Sequence, residues 1–211
     1  MICVSISHKS QLEKAVSSGA GMLELRLDLI GEKPDTLFAY IPDSIPVVVT
    51  CRPGIYPDEE RAGLFKAALE LGAAFVDLET ESSEDFLSDI RQAVESHQAR
   101  LIVSYHNFER TPGLEDLESV MIACFEKGAA IAKMATKING RDDILNLLAL
   151  YNLPGEKVIL GMGPQGRILR VMGPYLGGAF TFASLEVGKE TAPGQLSIKE
   201  MNEIYKVIDQ P

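Results

Sequence analysis

Leu23-Glu24-Leu25-Arg26-Leu27-Asp28-Leu29 is the stretch whose reading decides the fold. It alternates with a period of two, the period of a β-strand. Leu23, Leu25, Leu27 and Leu29 fall on one face, and Glu24, Arg26 and Asp28 on the other. In an antiparallel sheet the charged face would meet water. In a parallel barrel the leucines would lie under outer helices and the charges would line a polar interior. The rest of the chain decides between these.

Working outward, strand-like segments centre near Val4, Leu25, Val49, Val76, Val103, Ala132, Ile159 and Phe180. Their spacing is that of one strand plus one helix. Helical patterns fill the gaps: Leu12 to Ser18, Pro34 to Tyr40, Glu59 to Leu71, Glu84 to Ser96, Leu114 to Lys127, Asp142 to Leu150, Gly166 to Tyr175 and Ile198 to Ile208. Gly19, Gly21, Gly72, Gly128 and Gly177 mark helix ends. Eight strand–helix units predict a (β/α)₈ barrel, an α/β fold of parallel strands. A doubly wound open sheet is the competitor. Polar residues at successive strand ends, Asp28, Arg52, Glu79, His106, Lys133 and Ser184, favour the barrel, because all strand ends there face one mouth. There is no Ser/Gly linker and no composition break, so a single domain over residues 1–211 is expected.

The composition, 46% hydrophobic and 24% charged, is that of a globular protein. A net charge of −10 argues against a nucleic-acid or membrane surface. No apolar run approaches membrane-spanning length. Cys3, Cys51 and Cys124 are odd in number and far apart, which fits a reducing cytoplasm and no metal site.

Lys133 lies within the apolar strand Ala129-Ala-Ile-Ala-Lys-Met-Ala-Thr136. Burial lowers the pKa of a lysine and makes its amine a nucleophile for a carbonyl carbon. The plainer reading is a lysine that balances Glu24 or Asp28 at the mouth. His106 ends the strand Arg100-Leu-Ile-Val-Ser-Tyr-His-Asn-Phe108, where barrel enzymes place their chemistry. An imidazole there can take and return a proton, or serve only as a hydrogen-bonded structural group. His8 follows the first strand and could reach the mouth. Arg26, Arg52 and Arg170 are candidates to hold an anion through a guanidinium fork. For Arg26 the plainer role is an ion pair with Glu24 or Asp28, and for Arg170 a solvated helix face.

Gly161-Met-Gly163-Pro-Gln-Gly166 matches a dinucleotide-binding fingerprint, with Glu186 about 20 residues beyond. That fingerprint belongs to the first unit of its domain, and only 45 residues follow Gly166 here. In a barrel the same loop follows strand seven, a usual place for anion binding.

Six segments taken in order, Glu24-Leu-Arg26-Leu-Asp28, Thr50-Cys-Arg52, Val103-Ser-Tyr-His106-Asn, Ala132-Lys133-Met-Ala-Thr, Met162-Gly-x-x-Gly166 with Arg170, and Ala192-Pro-Gly-Gln195, resemble type I 3-dehydroquinate dehydratase. The resemblance implies a (β/α)₈ lyase of the shikimate pathway, the route to aromatic amino acids. It implies conversion of 3-dehydroquinate to 3-dehydroshikimate and water with no metal or cofactor. Lys133 would be the Schiff-base lysine and His106 the general acid/base. Glu24, Arg26, Arg52, Arg170, Thr191 and Gln195 would hold the substrate or support the site. Thr191 stands where many members carry serine. The segment after Arg52, where members of the family usually carry a glutamate that orients the histidine, is shorter or differently arranged here (Arg52-Pro-Gly-Ile-Tyr-Pro-Asp58-Glu59-Glu60) and assigns that role to no particular carboxylate. An N-terminal extension covering the barrel floor is expected to be absent. The expected partners are the small-molecule substrate, a second copy of the chain, and shikimate dehydrogenase, to which some family members are fused. The competing readings are a Schiff-base (class I) aldolase and a non-catalytic barrel that binds a small carboxylate.

Overall fold

The computed structural model describes residues 1–210. Eight parallel strands alternate with helices in the order β1 (Ile2–Ile6), α1 (Leu12–Ser17), β2 (Met22–Arg26), α2 (Leu27–Ile30), α3 (Pro34–Phe38), β3 (Val47–Thr50), α4 (Asp58–Glu70), β4 (Phe75–Glu79), α5 (Glu84–Ser96), β5 (Arg100–Asn107), α6 (Leu114–Glu126), β6 (Ile131–Lys137), α7 (Arg141–Ala149), β7 (Glu156–Met162), α8 (Arg167–Met172), β8 (Thr181–Ser184) and α9 (Ile198–Ile208). The strands pair in the order β7-β6-β5-β4-β3-β2-β1-β8. Between β7 and β8 the barrel is drawn together by Ala179 N–H, which donates to the Lys157 carbonyl at 2.9 Å. The fold is the expected (β/α)₈ barrel.

Local chemistry explains the helices. Ser83 caps α5 by accepting from the Phe86 N–H at 3.3 Å, and Phe86, Leu87, Ile90 and Val94 form its buried stripe. Ser197 and Glu200 form a reciprocal capping box at the start of α9. The stretch expected as one helix over Gly166 to Tyr175 is instead α8 between two 3₁₀ turns, Pro164–Gly166 and Gly173–Leu176. Pro174, inside that span, cannot donate the backbone bond a continuous helix would need.

The deciding stretch is part strand and part turn. Leu23 and Leu25 are buried on the outer, helix-facing side of β2, and Glu24 and Arg26 point into the barrel. The strand stops at Arg26, however, and Leu27–Ile30 is a helical turn closed by Gly31 at φ +71°. Leu29 is thus exposed, and Asp28 is a turn residue paired with Arg26, not a strand-end group. The ladder explains this: β1 offers β2 its last partner at Leu25, and β3 at Arg26, so further backbone groups must bond locally. Arg52 likewise lies just beyond β3 rather than on it.

Two cores result. Between strands and helices lies the larger one, which includes Val4, Leu23, Val49, Val76, Val103 and Met134. Inside the barrel Cys3, Met22, Val48, Phe75, Ile102, Ile131, Val158, Phe180 and Phe182 fill the end where the strands begin. The interior turns polar toward the strand ends, and register sets Thr50 beside Asp77 and Ser104 beside Lys133.

Candidate active site

The polar end of the barrel opens into a cavity of about 360 Å³. Glu24, Arg26, Arg52, His106, Lys133, Arg170, Thr191 and Gln195 all line it, so every residue that the family resemblance implies for the site reaches one cavity. Ala135, Leu160, Met162 and Phe182 form an apolar wall.

Lys133 is 4% exposed, and its Nζ donates to Asp77 Oδ2 at 2.7 Å. Its partner is therefore Asp77, not Glu24 or Asp28. The Phe182 ring lies 4.2 Å from Nζ, a cation–π distance. Asp77 is fully buried, and its Oδ1 accepts from Ser104 Oγ at 2.6 Å and from Arg52 Nη1 at 3.1 Å. Burial alone would raise the Asp77 pKa; Arg52, Lys133 and His106 outweigh it and hold the carboxyl far below its usual range.

His106 is half-buried at the mouth and stacks on Phe108, with ring centroids 6.2 Å apart and planes 14° from parallel. Burial, then the charges of Arg52 and Lys133, push its pKa well below the ordinary value of 6.5. Both Glu79 oxygens are already taken, one by Arg52 and the other by Arg61 at 2.9 Å. His8, in contrast, is exposed to solvent and caps a short 3₁₀ turn.

Glu24 accepts from Ser5 Oγ at 2.6 Å and Thr50 Oγ1 at 2.8 Å. Arg26 forks onto Asp28 at 2.7 and 3.0 Å, as its plainer reading held, while still lining the cavity. Gln195 Oε1 accepts from the Thr191 N–H at 2.8 Å, which folds the loop between β8 and α9 over the mouth. Its Nε2 donates to Ser5 Oγ at 3.4 Å.

Arg170 is the most unusual group in the site. It is 1% exposed and makes one long side-chain hydrogen bond, Nη2 to the Pro193 carbonyl at 3.5 Å. Nε and Nη1 have no partner. Burial lowers its pKa to about 10. The solvated-face reading fails, because α8 turns this side chain inward. A desolvated guanidinium with unpartnered N–H groups at a cavity wall can accept an anion from outside the protein. The glycine loop brings it there: a Cβ on Gly161 would lie 2.6 Å from Gly166 Cα, so this loop can cross itself only without side chains. The fingerprint of glycines is thus a packing device after β7. Glu186, its supposed ribose ligand, pairs with exposed Lys14 instead.

Asp77, Ser104, Ser5 and Thr50 were not nominated from the sequence. Phe75-Val-Asp77-Leu-Glu79 carries the same apolar–acidic alternation as β2 and was the available signal. Among the described residues no cluster of three or more His, Cys, Asp or Glu is arranged to hold a metal ion, and no helix is long and apolar enough to cross a membrane. The three cysteines are buried and unpaired.

The family model for type I 3-dehydroquinase matches residues 2–211. The chain belongs to this family. Among type I 3-dehydroquinase relatives, the 3-dehydroquinate dehydratase of Methanocaldococcus jannaschii is 36% identical, over 99% of both chains. The crystal structure of the Aquifex aeolicus 3-dehydroquinate dehydratase superposes with a TM-score of 0.85, at 30% identity and full coverage of both chains. That from Geobacillus kaustophilus reaches a TM-score of 0.88 at 26% identity, over 98% of this chain and 90% of the other.

Proposed function

We propose that this chain, as one catalytic domain, dehydrates 3-dehydroquinate to 3-dehydroshikimate. Family membership supports the reaction. The observation that carries the assignment of roles is the enclosure in one cavity of a buried amine, a histidine held neutral, and a buried guanidinium with unpartnered N–H groups.

The substrate is a β-hydroxy ketone whose α-proton is too weakly acidic to leave quickly at neutral pH. Lys133 condenses with the ketone, expelling water and leaving an iminium. Asp77, 2.7 Å from the amine in the resting site, faces that positive charge. His106 takes the α-proton, and the electron pair becomes an enamine stabilised by the iminium. The enamine then expels the β-hydroxyl, to which His106 returns the proton. Hydrolysis of the conjugated iminium consumes one water and frees Lys133, so one water is lost overall. Arg170 pairs with the substrate carboxylate and fixes which hydrogen faces His106. Glu24, Arg26, Arg52, Thr191 and Gln195 surround the ring.

The direct test is incubation with 3-dehydroquinate while following the ultraviolet absorbance of the conjugated enone. Absorbance that rises with enzyme concentration is expected. No change would remove the reading, and release of an aldehyde fragment would replace it with aldolase chemistry. Self-association and pairing with shikimate dehydrogenase belong to the same reading, and sedimentation of the chain alone and with that enzyme tests both.

A further inference from the structure

A file of alternating charges leads from Lys133 out of the cavity and into the helical layer. Lys133 donates to Asp77, Asp77 also accepts from Arg52, and Arg52 donates to Glu79 as well. The other Glu79 oxygen accepts from Arg61 Nη2 at 2.9 Å. Arg61 lies on α4, is 2% exposed, and does not line the cavity. Its Nε donates to the Cys51 carbonyl at 2.8 Å and its Nη1 to Asp58 at 2.7 Å. The Phe86 ring on α5 lies 4.7 Å from its guanidinium carbon.

Arg61 therefore grips Arg52 twice. It fixes the backbone immediately before Arg52, through Cys51, and it fixes the carboxylate that Arg52 holds. A lysine could not satisfy these acceptors together, because only a planar fork presents several N–H groups in fixed directions. Burying a guanidinium with its neighbours is costly unless the geometry is well satisfied, and here Nε, Nη1 and Nη2 each donate to an oxygen while the Phe86 ring covers the guanidinium.

We propose that Arg61, acting through Glu79, is a positioning residue. It fixes Arg52, and thereby sets how tightly the Asp77–Lys133 pair holds its proton, without touching substrate. The inference rests on the dehydratase reading, in which neutral Lys133 must attack. Glu24, Arg26, Arg52, Asp77, His106 and Arg170 are the other charged or titratable groups around the cavity, and Asp58 and the Cys51 thiol flank Arg61 itself. All of these stay the same in the variants below.

The test compares Glu79→Gln with Arg61→Met. Glu79→Gln removes a negative charge beside Arg52, so the amine binds its proton less tightly. Arg61→Met removes a positive charge and leaves Glu79 in place, so the amine binds its proton more tightly. The acidic limb of kcat/KM against pH should move down in the first and up in the second, by about half a unit or more each. The same midpoints are read independently by reductive methylation of Lys133 with formaldehyde and cyanoborohydride, located by mass spectrometry. That reaction needs no turnover. Loss of the dehydratase reading in the parent enzyme would therefore leave this measurement intact. A purely structural Arg61 would lower the folded fraction and leave both midpoints where they were, which would overturn the proposal, as would shifts in the same direction. If Arg61→Met does not fold, Glu79→Gln with Arg61→Lys decides. Arg61→Lys keeps the charge and should hold the parent midpoint while losing kcat. An unmoved midpoint in Glu79→Gln overturns the proposal by itself.

Discussion

Asp77 Oδ2 lies 2.7 Å from Lys133 Nζ, with Asp77 fully buried and Lys133 reaching only the cavity. Because Arg52, Lys133 and His106 hold the Asp77 carboxyl below its unfolded value, its contribution to stability is complete above about pH 4 and drains away as pH falls toward the folded value. Asp77→Asn leaves Lys133 and Arg52 without this counter-charge, a loss of about 3–5 kcal/mol for a broken buried pair. Melting temperature followed from pH 7 to 3 should start lower in the variant and fall less steeply with acid. Parallel curves would show that Asp77 does not carry this linkage.

Substrate with borohydride should leave a reduced adduct on Lys133 and on no other lysine. Lys137, at the exposed end of the same strand, is the internal control. Lys133→Ala should lose turnover by several orders of magnitude, because the iminium route disappears. An adduct mapped to Lys137 would remove Lys133 from its role.

His106 should titrate below 6.5, since burial, Arg52 and Lys133 all disfavour the imidazolium. The neutral base is then present throughout the neutral range, and protonation of His106 itself should cost activity only on the acid side of that value. Nuclear magnetic resonance of the ring protons reads the midpoint directly. In His106→Ala the Schiff base should form and accumulate, with turnover lower by about 10²- to 10⁴-fold. An unchanged rate would exclude the role.

The barrel was legible because apolar and polar residues alternate on strands and because helix caps sit where the chain turns. α5 and α9 match their expected bounds to the residue, as both begin at serines that cap. The end of β2 was not legible: Leu27 and Leu29 continue a period-two pattern, yet strand length is set by neighbours that lie elsewhere in sequence. The partners of the charges were hidden for the same reason. Lys133 and Asp77 are 56 residues apart, and only barrel register brings them together. The exposed or buried fate of Arg170 depends on which way a short helix turns after β7, and six residues carry too little periodicity to say.

Arg170 separates function from stability. Its guanidinium is buried with Nε and Nη1 unpartnered, and its pKa is depressed to about 10. That arrangement is unfavourable without an anionic partner, and on the proposed reaction the substrate carboxylate supplies one. Arg170→Met, an apolar side chain of similar length, should therefore hold or raise the melting temperature of the ligand-free protein. The same variant should raise KM strongly and lower kcat, because a loosely held carboxylate lets the α-proton drift from His106. Product should raise the melting temperature of the parent and leave that of Arg170→Met nearly unmoved. Arg91→Ala, on the exposed face of α5, should change none of these quantities. If Arg170→Met binds and turns over like the parent while Arg52→Ala fails, the carboxylate belongs on Arg52, and the buried fork of Arg170 serves only the loop after β7.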